Sequence, residues 1–321
     1  MATLTAVSLE TAPPPENTKS FGARLWEYRW CYLFMVPTTV LAVLFTFYPM
    51  INSWVIAFQE WNGITEDRTW VGLANFREIL ADPFFWRAFG RTGLFVLMVV
   101  PTSLLIALLI AIVLNDYSYR LRPLFRTVFF LPVVTTTAIV GIVSTMILNP
   151  FDGPLNQALL TIGVIDAPID FLGDPNVALW SVAGVYVWKW MGISMIYWLV
   201  ALQTVPRELL EAAAVDGAPA WKQHRHITVP MVMPFAVIIT LIAVVGAFQT
   251  FPLVQAMTRG GPSYATELME LFIYRLAFAS AGEPRLGYAS AAAVIFGLAV
   301  LVFTLLQAWG VKKVAQMRSG S

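Results

Sequence analysis

Residues 208–230, ELLEAAAVDGAPAWKQHRHITVP, contain an unusual combination of acidic and small side chains. Glu208 and Glu211 lie in a strong helix-forming sequence, which Asp216 and Gly217 interrupt, because glycine adopts backbone angles that other residues resist. The alanines after Glu211 leave a surface that a partner could approach closely. The stretch therefore predicts a helix–turn–helix elbow for docking, or a solvated loop that happens to be helical; the residues alone leave both open.

Two histidines, His224 and His226, stand in the second half of this stretch. A metal site needs more ligands than two, and no third one is apparent nearby. Two histidines without a third ligand are more often surface residues, so no metal site is predicted.

The composition of the whole chain indicates the environment of this stretch. Hydrophobic residues make up 58% of the 321 residues, charged residues 12%, and the mean hydropathy is +0.71. Soluble domains carry about 25% charged residues, so this chain cannot cover a water-facing surface of its size. The composition indicates an integral membrane protein. The net charge of +1 gives no indication of a nucleic-acid partner, and the single cysteine excludes an internal disulfide.

A helix needs about 20 apolar residues to cross the hydrocarbon region. The apolar runs are continuous rather than alternating, which favours helices over strands. The predicted fold is an all-α integral membrane protein with about six transmembrane helices. The predicted spans are 30–57, 92–114, 127–149, 177–203, 231–257 and 286–310.

The basic residues predict the orientation of these spans. The loop 150–176 carries four aspartates and no Lys or Arg, whereas the loops on the side of the two termini are rich in Lys and Arg. Both termini and the elbow, residues 204–230, are therefore predicted to be cytoplasmic. The predicted organisation is a disordered cytoplasmic tail at 1–25, a membrane domain at 26–315 and a short cytoplasmic tail at 316–321.

The elbow resembles the EAA motif in the inner-membrane permease subunits of binding-protein-dependent ABC importers. That motif is Glu-Ala-Ala, three residues, Gly, nine residues, Ile, one residue, then Leu-Pro. The matching residues here are Glu211, Ala212, Ala213, Gly217, Ile227 and Pro230. Val229 stands in place of the leucine, an apolar exchange. The sequence Asp216-Gly217-Ala218 is similar to the variant typical of carbohydrate permeases.

Further stretches extend the resemblance to roughly residues 30–315. They include VGLANFREIL, FRTVFFLPVV, NPFDGPLNQAL and TRGGPSYATELMELFIYRLAF. The specific similarity is to the first of two permeases in sugar importers of the maltose and glycerol-phosphate type.

The resemblance implies that the elbow is a coupling helix that lodges in a cleft on an ATPase subunit. The residues implied in ATPase coupling are Glu211, Ala212, Ala213, Ala214, Asp216, Gly217 and Ala218. The implied partners are a second homologous permease, two cytoplasmic ATPase subunits and an extracytoplasmic solute-binding protein, in a bacterial-type inner membrane.

No catalytic site is predicted in this chain. A phosphate-binding loop ends in Gly-Lys-Ser/Thr, and the sequence contains no such segment, nor a nucleophile elbow or a zinc helix. The chain is therefore expected to be a transporter subunit without a cofactor of its own, and ATP and Mg²⁺ are expected to bind to the partner ATPase.

A sugar ring has apolar C–H faces and hydroxyl edges, so its path would combine aromatic faces with polar groups. Phe248, Phe251 and Gln255 recur at helical spacings and would share a face, with Gln249 one position away. Packing between helices is the alternative role of this face.

The fourth span carries Trp188, Lys189 and Tyr197 as further solute-path candidates. A charge within a membrane span is a functional candidate by default. Three roles are open to Lys189: contact with the solute or a gate, snorkelling toward an interface, and pairing with a neighbouring helix.

The alternative function is a stand-alone secondary transporter or channel for a small polar solute. Such a protein would be expected to carry buried acidic residues or half-helix pairs in repeated halves. The six predicted spans contain no Asp or Glu, which counts against proton or sodium coupling.

Overall fold

The computed structural model describes residues 22, 26–116, 119–279 and 282–319. Apart from residue 22, the predicted tail 1–25 lies outside the described residues. The last helix continues to Ser319, past the boundary predicted after residue 315, and residues 320–321 lie outside the described part.

Contacts divide the chain into two compact units, residues 1–53 and 54–321. In the described residues, the first unit consists of helix α1 (Arg29–Ala42), a π-helical segment (Val43–Phe47) and most of α2 (Tyr48–Ile56).

The second unit is also helical, apart from a two-stranded antiparallel hairpin. Its elements are β1 (Gln59–Glu60), β2 (Thr69–Trp70), α3 (Ala74–Ala81), α4 (Pro83–Asn115), α5 (Arg122–Val134), α6 (Thr137–Ile147), α7 (Pro154–Thr161), α8 (Ala178–Leu202), α9 (Arg207–Val215), α10 (Ala220–Gln223), a π-helical segment (His224–Thr228), α11 (Val229–Ala247), α12 (Phe251–Met257), α13 (Met269–Tyr274), a second π-helical segment (Arg275–Ala279) and α14 (Leu286–Ser319).

Five helices of the described chain are long and apolar enough to cross a membrane, and a bent pair makes a sixth if it is counted as one span. The prediction of an all-α membrane protein is confirmed. These spans are Arg29–Ile56, Pro83–Asn115, Ala178–Leu202, Ala220–Ala247 and Leu286–Gly310, with Arg122–Val134 and Thr137–Ile147 as the bent pair.

The core of the second unit lies between α4 and α8. Small buried residues of α4, Ala107 and Ala111, permit close packing of the kind that joins helices in lipid. The buried indole of Trp198 on α8 donates a hydrogen bond to the Leu104 carbonyl of α4 at 3.1 Å. This bond gives the indole N–H a partner where water is absent.

The third span predicted at 127–149 is broken into two helices. The axes of α5 and α6 differ in direction by 101°. Thr135 and Thr136 have extended backbone, with ψ of 140° and 130°, and end α5 one turn after Pro132. The apolar run is continuous across this break, so hydropathy alone did not reveal it.

The fifth span predicted at 231–257 ends earlier than predicted. Helix α11 ends at Ala247, and α12 begins at Phe251 after the non-helical Thr250. Helix α12 packs closely against α6, because a Cβ placed on Gly141 would lie 2.6 Å from the Cβ of Ala256. The short helices after the two breaks therefore pack against each other.

Helix α5 approaches α8 at a glycine. A Cβ placed on Gly192 would lie 2.1 Å from the carbonyl oxygen of Phe129. Real side chains do not tolerate such a distance, so any larger residue at position 192 must displace the α5 backbone.

At the end of the unit opposite the elbow, side-chain bonds join α3 to the start of α14. Arg285 donates two hydrogen bonds of 2.7 Å to the carboxylate of Glu78, and Tyr288 donates one of 2.8 Å to Asp82. The hydrogen bond from Arg285 lowers the pKa of the Glu78 carboxyl.

We expect Gly192→Ala to destabilise the protein, although alanine is the better helix former. Overpacking in a filled interior typically costs about 1–3 kcal/mol. Gly184→Ala is the matched control, because Gly184 lies on the same helix and its added Cβ would meet no atom within 4 Å. Thermal unfolding in detergent should show a lower Tm for Gly192→Ala only; equal Tm values for the two variants would contradict this packing.

Stability should also depend on the Glu78–Arg285 pair in a pH-dependent way. Because the pKa of Glu78 is lowered on folding, the pair stabilises the protein at pH values above the unfolded pKa of this carboxyl. The contribution is lost as the pH falls through the folded pKa. Both side chains are about half exposed, so the effect is limited to roughly 1 kcal/mol or less.

The measurement compares Glu78→Gln with the unmodified protein at pH 7 and in acid. We expect a lower Tm for the variant at pH 7 and equal Tm values in acid. Glu66→Gln, at an exposed carboxylate of the same segment, serves as control. A Tm difference that grew in acid would contradict the assigned direction.

Candidate coupling site and solute-path residues

The elbow joins α8 to α11 and begins with a short helix. Pro206 directly precedes α9, where its fixed backbone angle favours helix entry. Glu208 lies in the first turn, where the helix dipole favours an acidic side chain.

The end of α9 has the hydrogen bonds of a Schellman motif, which requires a residue with positive φ. Gly217 supplies it with φ of 78°. The amide of Ala218 donates to the Ala213 carbonyl at 2.9 Å, and the amide of Gly217 donates to Ala214 at 3.0 Å. These bonds satisfy carbonyls that a helix end would leave unpaired. The turn predicted at Asp216 and Gly217 therefore forms with defined geometry.

The second arm of the elbow is the beginning of the fifth span. Residues Ala220–Ala247 form one continuous span of 28 residues, which begins with α10 and contains a π-helical segment. Gln223 closes the elbow by donating to the Ala218 carbonyl at 2.7 Å. The elbow is thus continuous with α11.

Both elbow histidines take part in local contacts four residues along the helix. Nδ1 of His224 lies 3.2 Å from the hydroxyl of the buried Thr228, and Nδ1 of His226 lies 3.0 Å from the carbonyl of Lys222. Both contacts are therefore made within one helix.

Exposed apolar side chains surround the acidic residues of the elbow. Val215 at the tip is 89% exposed, and Leu209 and Trp221 are also exposed. Sequence reasoning missed these three residues. The available signal was the presence of large apolar side chains in a polar stretch between two membrane spans.

A cavity of about 1150 Å³ opens beside the elbow. The ends of α4 and α8 and both arms of the elbow line it, and its wall includes the carboxylates of Asp116, Glu208 and Glu211 together with Arg207 and His224. The predicted coupling residue Glu211 therefore lies in the wall of a cavity that carries acidic and basic side chains together.

The candidate residues on α8 face different surroundings. Trp188 is about half exposed, and Tyr197 is half-buried. Lys189 is fully buried, and its Nζ donates to the carbonyls of Thr135 at 2.7 Å, Pro132 at 3.0 Å and Val133 at 3.4 Å. Of the roles predicted for Lys189, the geometry matches pairing with a neighbouring helix and does not match snorkelling.

The shared helix face predicted for the fifth span does not form, because the break separates Phe248 from Phe251 and Gln255. Phe248 lines an apolar pocket of about 260 Å³ between α4 and α14, with Phe89, Phe296 and other apolar residues. The only hydroxyl in the pocket wall, that of Thr92, donates to Ala88 and accepts from Met269. The pocket therefore lacks the free polar groups that would bind sugar hydroxyls.

The remaining candidates lie at the break or on α12. Gln249 is exposed, whereas Phe251 and Gln255 are half-buried. The Phe251 ring packs on Tyr274 with a centroid distance of 4.9 Å, and its amide donates to the carboxylate of Glu270 at 2.7 Å. Burial raises the pKa of the Glu270 carboxyl, and hydrogen bonds from the Phe251 and Thr250 amides partly offset the rise.

The described helices that are long and apolar enough to cross a membrane define a multi-helix membrane protein. Residues 79–316 match the family described as binding-protein-dependent transport system inner membrane component. The chain belongs to this family.

Known relatives of similar length support the assignment. The chain is 35% identical over 277 residues to the probable ABC transporter permease protein YurN of Bacillus subtilis, an alignment that covers 86% of this chain and 94% of YurN. It is 33% identical over 284 residues to the lactose transport system permease protein LacF of Rhizobium radiobacter, with coverage of 88% and 94%.

A solved structure shares the fold. A chain of a bacterial ABC transporter involved in the import of the acidic polysaccharide alginate superimposes with a TM-score of 0.76 at 25% identity, over 91% of this chain and 98% of that chain. The predicted resemblance is thus confirmed: the chain is an inner-membrane permease subunit of an ABC importer, and ATP hydrolysis belongs to partner subunits. The family assignment does not support a stand-alone secondary transporter.

Replacing Gly217 should impair transport more than stability. A side chain at positive φ costs about 1–2 kcal/mol, which would open the Schellman turn and misdirect the elbow. We expect Gly217→Val to reduce ATP-driven solute uptake by cells that express the whole transporter. Gly163→Val is the matched control, since Gly163 also has positive φ, at 70°, but lies in the loop 150–176. Equal uptake by the two variants would contradict the importance of the turn.

Proposed function

We propose that this chain forms part of the translocation path for a sugar or oligosaccharide and that its elbow couples this path to ATP hydrolysis. It acts with a second homologous permease, two cytoplasmic ATPase subunits and an extracytoplasmic solute-binding protein. ATP and Mg²⁺ bind to the ATPase subunits, and the chain itself needs no cofactor.

The geometry of the elbow is the observation that carries the coupling role. A helix with a closed end and an exposed apolar tip, Val215, can insert into a groove as a rigid body. The carboxylate of Glu211, in the wall of the cavity beside the elbow, would receive a cationic group of the ATPase. Ala212, Ala213 and Ala214 keep the approach short.

The connections of the elbow explain how docking moves the membrane helices. Only residues 203–206 separate α8 from α9, and α10 continues into α11 without a break. Movement of the docked elbow would therefore shift both spans together. ATP-driven closure of the two ATPase subunits would supply this movement.

The carbohydrate assignment rests on relatives and on chemistry. Similar permeases are named for the transport of lactose (LacF), arabinooligosaccharides (AraP of Bacillus subtilis) and sn-glycerol-3-phosphate (UgpA of Pectobacterium atrosepticum). These are polyhydroxylated solutes. In this chain, the exposed amide of Gln249 and the aromatic rings of Trp188 and Tyr197 are the residues that we propose for contact with such a solute.

The orientation is part of the proposal. The elbow and both termini face the cytoplasm, because Lys and Arg are concentrated in the loops on that side and absent from the loop 150–176. This placement puts the elbow in reach of soluble ATPase subunits. The opposite end, with the β1–β2 hairpin and α3, faces the solute-binding protein.

The test uses cells that express the complete transporter and supplies radiolabelled lactose, arabinotriose and glycerol 3-phosphate as separate probes. We expect ATP-dependent uptake of one of them by the unmodified protein. Glu211→Lys should abolish this uptake and release the ATPase subunits during purification of the permease, because it reverses the charge at the docking site.

Glu66→Lys is the control, since it makes the same charge change at the opposite end of the second unit. It should leave uptake and co-purification unchanged. Uptake that persists after deletion of the ATPase genes would contradict the coupling role. Uptake of none of the three probes, together with import of an amino acid, would contradict the carbohydrate assignment.

A further inference from the structure

The break between α5 and α6 leaves the carbonyls at the end of α5 short of helical hydrogen bonds, and the Pro132 carbonyl receives one bond of 3.3 Å from the Thr135 amide. The carbonyls of Pro132 and Val133 belong to the end of α5, and that of Thr135 lies in the break itself. Within lipid, water is not available to such groups, and each unpaired one costs several kcal/mol. These three carbonyls are the ones that Lys189 contacts.

The ammonium of Lys189 and the carbonyls at the end of α5 are chemically complementary. An ammonium group has three N–H donors, and Nζ of Lys189 lies within 3.4 Å of three carbonyl oxygens. The carboxyl-terminal end of a helix carries partial negative charge, which favours a cation there. Each partner thus compensates for the cost of burying the other.

Gly192 provides a second point of contact on the same face of α8, one turn from Lys189. The close approach of the Phe129 carbonyl to Gly192 fixes the middle of α5, and Lys189 fixes its end. Helix α5 is therefore held along α8 at two positions and not by apolar packing alone.

An acidic side chain, that of Glu270, binds at the break between α11 and α12. Glu270 accepts a hydrogen bond from the Phe251 amide, at the amino-terminal end of α12 where partial positive charge favours an anion. Helix α12 in turn packs on α6 at Gly141 and Ala256. Contacts thus run from α8 through Lys189 to the α5–α6 break, and from α6 to α12.

We propose that Lys189 is a positioning residue that makes the α5–α6 break move together with α8, so that motion of the elbow reaches the broken third span. This inference rests on the proposed coupling role of the elbow. Since α8 ends four residues before the elbow helix, a shift of α8 would carry the end of α5 with it. Loss of the ammonium would leave α8 free to move without α5.

The experiment measures solute imported per ATP hydrolysed by the purified complete transporter in proteoliposomes. The probe is whichever of lactose, arabinotriose and glycerol 3-phosphate the unmodified complex imports. Lys189→Met removes the donors and keeps a flexible side chain of similar length. We expect the variant to assemble and hydrolyse ATP, with the import-to-hydrolysis ratio reduced about tenfold, within the range of coupling free energies between sites.

Trp180→Met is the control on the same helix, at an exposed position, and should keep the ratio unchanged. If Lys189→Met does not assemble, the ratio is measured for Lys189→Gln, which retains two N–H donors and should give a smaller reduction. An unchanged ratio in the variant that assembles would overturn the inference. A parallel fall of import and hydrolysis would also overturn it, because that is the effect expected if Lys189 only stabilises the end of α5.

The Glu211→Lys variant separates the role of Lys189 from the coupling role of the elbow. If the unmodified complex imports the probe and Glu211→Lys abolishes import, an unchanged ratio in the Lys189 variant refutes only the role of Lys189. If Glu211→Lys imports normally, the coupling role of the elbow is refuted, and the inference about Lys189 with it.

Discussion

Backbone groups inside a bilayer must find partners within the protein, and this constraint explains much of the second unit. Long helices satisfy it by themselves, as α4 and α8 do. The interrupted third span satisfies it with the ammonium of Lys189 from a neighbouring helix, and Glu270 binds the first amide of α12 at the break that follows the fifth span. Each charge faces the helix end of opposite polarity, so the same contacts stabilise the breaks and neutralise the buried charges.

Contacts at the two breaks also link the helices that flank the elbow. Helix α8 leads into the elbow and binds the end of α5, while α11 leads out of it and continues past a break into α12. Because α6 and α12 pack on each other at Gly141 and Ala256, both routes from the elbow converge on the same pair of short helices. A rigid elbow can thus act on a region well separated from it along the chain.

Sequence reasoning could predict the features that depend on local chemistry. Hydropathy predicted the spans, and the Asp216-Gly217 pair predicted the turn, because a Schellman end requires a glycine. Hydropathy did not locate the breaks at Thr135 and Thr250, since apolar composition continues across them. For the same reason the face of Phe248, Phe251 and Gln255 was wrong, and Lys189 kept several possible roles until its partners 54–57 residues away were known.

Site-specific photocrosslinking from position 213 in intact cells decides whether the elbow is the contact point of a cytoplasmic ATPase, with exposed Ile64 at the opposite end as the comparison position. We expect a covalent adduct between position 213 and an ATP-hydrolysing subunit, and none from position 64. Adducts of position 213 with an extracytoplasmic protein, or with no nucleotide-hydrolysing protein at all, would contradict it.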